Sequence, residues 1–134
     1  MHLTLAPGLM DRIVRHAAAA LPQEGCGLIA GSRGAAERFI PMTNRLASAT
    51  SFDMEPSELI ATLRSLRESG ESLLAIYHSH PRGPAEPSPR DIDRAYYPEA
   101  AQIIVSLASP ENPVVRGFRI VDAQAIEIEL RVIV

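Results

Sequence analysis

The chain has 134 residues and a formal net charge of -3, and 46% of it is hydrophobic. That length suits one domain, 1–134, and that apolar content can fill a core, which argues against intrinsic disorder. The thirteen basic residues are all arginine, scattered without a run among three Tyr, three Phe and no Trp, so the basic patch with aromatic platforms that marks a nucleic-acid binder is missing from the sequence.

The N-terminus, MHLTLAPGLMDRIVRH, lacks a basic start followed by a long apolar run, so no signal peptide is expected. Residues 9–21 place Leu9, Met10, Ile13, Val14, Ala17 and Leu21 at helical spacing, and Pro22 ends that amphipathic helix. His2 and His16 have no partner pattern and are expected at the surface. Cys26 to Ala30 is apolar between Gly25 and Gly31, a short buried strand with 37–43 as its hairpin partner. Cys26, the sole cysteine, is expected in the core; it cannot form an internal disulfide, so nothing demands an oxidising compartment. GCGLIA at 25–30 matches G-x-G-x-x-A, but these glycines follow a helix and open a strand, the reverse of a dinucleotide site.

Asn44 to Ser51 is polar and reads as a loop, and Phe52 to Met54 as a short strand. Pro56 suits the first turn of a helix whose apolar face is Leu59, Ile60, Leu63 and Leu66, with Gly70 as its C-terminal cap. Leu73 to Tyr77 is a buried strand that His78-Ser79-His80 continues. Residues 81–89, PRGPAEPSP, carry four prolines and cannot be regular. Ser88-Pro89-Arg90-Asp91 starts a helix: serine cap, proline at the first position, carboxylate at the third. Strands follow at 103–107, 114–121 and 125–134, the last alternating Ile126, Ile128, Leu130, Val132 and Val134 with Glu127, Glu129 and Arg131. The expected fold is α/β, a mixed sheet with helices packed on it. No stretch of about 18 apolar residues exists to span a bilayer, and a cytoplasmic protein is expected.

His78 and His80, two apart on a strand, point to one face. Two imidazoles there can reach one metal ion. The stiff loop then folds the chain back, so that Asp91 in the next helical turn can supply a third ligand. Two His and one carboxylate leave a fourth position for water, the open pattern of a catalytic zinc site. The same donor set also describes non-haem iron oxygenases. Ser88 and Asp91 can alternatively act as a helix cap alone.

His78-Ser79-His80-Pro81, six residues, Ser88, two residues, Asp91 resembles the H-[ST]-H-P-x6-S-x-x-D signature of the JAMM (MPN-plus) metalloprotease family. Glu24 ahead of the glycine-bounded strand 25–31 is similar to a second family landmark. Phe52-Asp53-Met54-Glu55-Pro56-Ser57-Glu58-Leu59 resembles the pattern before its second helix. The resemblance implies a JAMM/MPN, cytidine-deaminase-like α/β sandwich holding one Zn²⁺ per chain. It implies Glu24 as general base and Ser88 as hydrogen-bond donor to the oxyanion. Phe52, Asp53 and Met54 then fall in a substrate-facing region.

No large insertion fits between Gly31 and Phe52 or after Leu107, so selection among ubiquitin linkages is not expected. Small prokaryotic-type members are similar to enzymes that trim ubiquitin-fold sulfur-carrier proteins, and a carrier with a Gly-Gly tail is the expected partner. The alternatives are an isopeptidase acting on lysine conjugates and a non-catalytic interaction module on the same fold. All of the catalytic positions being kept argues against the module. The sequence assigns no oligomeric state.

Overall fold

A computed structural model describes residues 1–134. Its elements in chain order are β1 (His2–Leu5), α1 (Leu9–Ala20), β2 (Cys26–Ser32), β3 (Ala35–Met42), α2 (Pro56–Ser69), β4 (Ser72–His80), α3 (Pro89–Asp93), β5 (Ala101–Ser106), β6 (Val114–Val121) and β7 (Gln124–Val132). The expected mixed α/β sheet is present, in the order β1-β3-β2-β4-β5-β6-β7. It also closes on itself, because β1 pairs in parallel with both β3 and β7. The sequence reading contained no β1: its four residues carry little periodicity, and both of its partners lie far along the chain.

Strand residues alternate between faces, and the two faces have different covers. Ala75 and Tyr77 of β4 join Ile29 of β2 and Ile103 and Val105 of β5 beneath Leu9, Ile13 and Ala17 of α1. Those three helix residues are buried at every fourth position, the stripe an amphipathic helix presents. On the other face Cys26 and Leu28 of β2 and Ile76 of β4 pack with half-buried Leu59 and Leu63 of α2. His78 and His80 continue the spacing of Ile76, so the fold itself directs both imidazoles to that second face.

Helix α2 is set by its ends. The Glu55 carboxylate accepts from the Glu58 N–H at 2.9 Å, Pro56 stands where no N–H is needed, and Gly70 closes the helix at φ 75°. Its apolar stripe is narrower than expected: Leu66 is buried, but Ile60 is 58% exposed. Phe52 to Met54 is not a strand. It makes one antiparallel bridge, Asn44 with Met54, because the polar turn at 44–47 is too short to pair further. His16 is half-buried rather than on the surface. Its Nδ1 lies 3.0 Å from the Tyr77 hydroxyl, and its ring packs edge-on against Phe39 and Tyr77. No helix is long and apolar enough to cross a membrane.

Candidate metal centre

β4 lies between β2 and β5, with His78 opposite Cys26 on one side and Ile104 on the other. A central strand leaves its side chains little solvent, and His78 is 1% exposed and His80 9%. The proline-rich loop then returns the chain. Ser106 donates to the Gly83 carbonyl at 2.6 Å, and His80 Nδ1 lies 2.7 Å from the Pro84 carbonyl oxygen. Helix α3 starts with a full capping box: Ser88 Oγ accepts the Asp91 N–H at 3.1 Å, and Asp91 Oδ2 accepts the Ser88 N–H at 2.9 Å. The cap thereby fixes the orientation of the Asp91 carboxylate.

That carboxylate completes a small triangle. His78 Nε2, His80 Nε2 and Asp91 Oδ2 are each 3.1 Å from the other two. One atom can sit about 2.0–2.1 Å from all three corners of such a triangle, the bond length zinc makes to imidazole nitrogen. The Pro84 carbonyl can only accept, so His80 Nδ1 carries a hydrogen, and in the neutral ring the Nε2 lone pair faces the carboxylate. Two lone pairs at that distance repel unless a cation or proton lies between them.

The titration of the ring atoms follows from this arrangement. Burial pushes His78 down, toward the neutral form. Burial also opposes charge on His80, but its hydrogen bonds to Asp91 and Pro84 and the Asp91 and Glu24 charges outweigh that and raise it. Burial alone would raise Asp91; the hydrogen bonds from both histidines instead hold it far below the usual carboxylate range. Without a metal, a proton on His80 lies between these lone pairs; a cation bound there takes the place of that proton, since imidazole ligates only when neutral.

Glu24 borders this triangle. One of its carboxylate oxygens lies within 4.8 Å of a ring nitrogen of each histidine. It is 3% exposed, and its Oε1 has no hydrogen-bond partner, nor does His78 Nδ1. Burial pushes the Glu24 carboxyl up to about 7, with the His80 charge opposing and Asp91 adding. The backbone of the next residue, Gly25, is held by the serine between the histidines. Ser79 Oγ accepts the Gly25 N–H at 2.7 Å, and the Ser79 N–H donates to the Gly25 carbonyl at 3.0 Å.

Two clefts meet at the triangle. One, of about 760 Å³, is lined by Phe52, Asp53, Met54, Tyr96 and Tyr97 and reaches His78 and Asp91. The other, of about 830 Å³, runs along the proline-rich loop and contains Glu24, His80 and Ser88. Phe52 stacks on His78 with ring centroids 4.6 Å apart. Met54 is buried, 7% exposed, and packs into the α2 face. The structure thus brings together His78, His80, Asp91, Glu24 and Ser88 and puts Phe52–Met54 beside them. The donor set fits a tetrahedral zinc with an open position. Sequence reasoning did not single out Asn44 or Ser79, whose contributions run through backbone groups distant in sequence.

A family model described as prokaryotic homologs of the JAB domain matches residues 6–121. The CysO-cysteine peptidase of Mycobacterium bovis is 35% identical over 133 residues, covering 98% of this chain and 91% of that protein. A probable TtuB-protein conjugate cleaving protease of Thermus thermophilus is 48% identical over 89 residues, covering 66% of this chain and 60% of that one. A solution structure of a protein from Desulfitobacterium hafniense superposes with a TM-score of 0.86 at 35% identity, covering 99% of this chain and 93% of its own.

Proposed function

The chain belongs to the family of prokaryotic homologues of the JAB domain, and from that premise we propose that it is a zinc-dependent peptidase acting on ubiquitin-fold proteins. Its substrate is the bond after a C-terminal Gly-Gly tail, with sulfur-carrier proteins as the first class. All 134 residues are taken as one catalytic domain. The observation that carries this reading is the three-atom triangle of His78, His80 and Asp91 with a buried, unpartnered carboxylate, Glu24, beside it. The names of two relatives, a peptidase of a CysO-cysteine bond and a protease of TtuB conjugates, support the substrate class.

In this reading His78, His80 and Asp91 hold one Zn²⁺, which when bound lowers the pKa of water toward about 7 and polarises a carbonyl. Glu24 accepts the proton of the attacking water and returns it to the departing amine. In the metal-free protein burial pushes its carboxyl up to about 7, which makes it a stronger proton acceptor than an exposed glutamate. Ser88 Oγ spends a lone pair on the helix cap, so its own O–H remains free to donate to the oxyanion. Capping and catalysis are therefore compatible in one hydroxyl.

The two clefts divide the substrate. Asp53 is not free to pair with it: the Asp53 N–H donates to Asn44 Oδ1, and its carbonyl accepts from Arg45. The neighbouring Phe52 and Met54 main-chain groups make no hydrogen bond within the protein. They form the edge on which an extended tail can add as a strand, and glycine lets that tail pass close to the stacked Phe52 and His78. The leaving amine departs into the other cleft, because Glu24, its proton donor, lines that one.

Zinc-loaded protein is to be incubated with a carrier extended beyond Gly-Gly and, separately, with a carrier joined to a lysine side chain. Cleavage of the linear extension supports tail trimming. Cleavage of the lysine conjugate alone assigns an isopeptidase instead. No cleavage of either overturns the reading.

A further inference from the structure

Asn44 has a fully used side chain. An amide offers two N–H donors and two acceptor lone pairs. Here Nδ2 donates to the Glu24 carbonyl at 3.1 Å and to the Ser51 carbonyl at 3.0 Å. Oδ1 accepts from the Leu46 N–H and the Asp53 N–H, both at 3.1 Å. The reverse amide orientation would set N–H against N–H and oxygen against oxygen, so the network itself fixes the assignment. The four partners belong to three segments: Glu24 two residues ahead of β2, the turn after β3 and the approach to α2. The Glu24 N–H is taken by the Ser48 carbonyl at 2.8 Å, so both main-chain groups of Glu24 are tied to residues 44–48. Phe52, which stacks on His78, lies between the two residues Asn44 holds on that approach.

We propose that Asn44 is a positioning residue that holds the Glu24 carboxylate and the Phe52–Met54 edge in fixed register across the metal centre. The inference rests on the reading of Glu24 as base and of that edge as the tail site. Its chemistry divides cleanly. The donors serve Glu24 and Ser51; the acceptors serve Leu46 and Asp53. Asparagine is the one residue of that length with both, since aspartate keeps the acceptors and turns an anion toward two carbonyl oxygens.

The test uses Asn44→Asp and Asn44→Ala in the zinc-loaded full chain, with zinc content and melting temperature recorded. Asn44→Asp keeps the acceptor half, so kcat falls about 10- to 100-fold while KM stays within about twofold. Asn44→Ala loses both halves, so kcat falls similarly and KM rises about fivefold or more. Amide hydrogen exchange provides a readout independent of activity. The Glu24 N–H bonds Ser48 rather than Asn44, so it reports loosening of the segment whose carbonyl Asn44 holds: in Asn44→Asp its protection falls while Asp53, bonded directly to Oδ1, keeps its own; in Asn44→Ala both fall. A general structural role would instead lower zinc content and stability in both variants without that division. Unchanged kcat, or equal exchange at both amides in Asn44→Asp, overturns the proposal. Should Asn44→Ala not fold, Asn44→Ser, which keeps one donor and one acceptor, replaces it with smaller changes in the same two directions. If the unaltered protein cuts no tail substrate, the functional reading fails, and the exchange pattern alone decides whether Asn44 couples the two segments.

Discussion

His80 Nδ1 lies 2.7 Å from the carbonyl oxygen of Pro84, in a loop that Ser106 anchors through Gly83. That contact selects the tautomer whose Nε2 lone pair points at His78 and Asp91. Outer partners of metal-bound histidines commonly set affinity in this way. Ser106→Ala releases the loop without touching a ligand. It should weaken zinc affinity about 10-fold or more, measured by competition with a chelator of known affinity. Unchanged affinity would show that the four prolines hold the loop unaided.

The three proposed metal ligands are predicted to act as a set. His78→Ala, His80→Ala and Asp91→Ala each remove one corner of the 3.1 Å triangle. Each should abolish zinc binding or weaken it greatly, read as metal per chain after purification without added zinc. Full occupancy in the His78→Ala/His80→Ala double variant would exclude this centre.

The proposed function gives Ser88 two separable duties. Ser88→Ala should cost about 1 kcal/mol as a lost helix cap and about 100-fold or more in turnover as a lost oxyanion donor, with zinc retained. Ser88→Gly costs only a few tenths of a kcal/mol as a cap, so its stability should approach that of the unaltered protein while turnover stays low. Normal turnover in Ser88→Gly would leave capping as the only duty of the hydroxyl.

Glu24 should oppose stability at high pH in metal-free protein. Its carboxyl, pushed up to about 7 by burial, is higher folded than unfolded, so folding favours the protonated form. That contribution is present below about 4.3 and is lost as pH rises through 7. Glu24→Gln keeps the shape and removes the titration. The variant and the unaltered protein should therefore differ least near pH 4, and the variant should be more stable by about 1–2 kcal/mol at pH 8, after discounting for solvent at the cleft. Denaturant melts at the two pH values measure the difference; a gap that does not widen with pH would show that Glu24 ionises without cost.

How far the sequence reaches differs from residue to residue. The two histidines and Asp91 were legible because strand period and a capping signature are local rules. Glu24 was only a carboxylate near a strand until the family resemblance gave it a role. Its burial is a tertiary fact, produced when β2 pairs with β4 and Ser79 binds Gly25. β1 was illegible because four residues hold too little pattern, and its partners are set by closure of the sheet. Asn44 gave no signal, since its four bonds join segments whose proximity only the fold creates. Ile60 reads as part of a stripe by spacing, but α2 covers its side of the sheet with Leu59 and Leu63 and buries Leu66.

The tail edge makes a prediction on the substrate side. Phe52 and Met54 have free main-chain groups, while the Asp53 N–H is already bonded to Asn44. Methylating tail amide nitrogens or replacing the two glycines with bulky residues should reduce cleavage strongly. Changes on the distant folded surface of the carrier should matter less. Asp53→Pro should also impair cleavage with zinc retained, but through loss of the bond to Asn44 rather than of a donor to the substrate. Competition by short extended peptides checks this; peptides that neither bind nor are cut, while the folded carrier is processed, would require a folded-surface interface in addition.

A ubiquitin-fold tail cut at the proposed centre of His78, His80 and Asp91 changes mass. Intact mass of a carrier extended beyond Gly-Gly, incubated with zinc-loaded protein, tests for that cut most directly. Loss of the whole extension to leave a terminal Gly-Gly is expected, with no loss after chelation and none with the His78→Ala/His80→Ala variant. An unchanged mass with the zinc-loaded protein, or the same cleavage by the double variant, would contradict it.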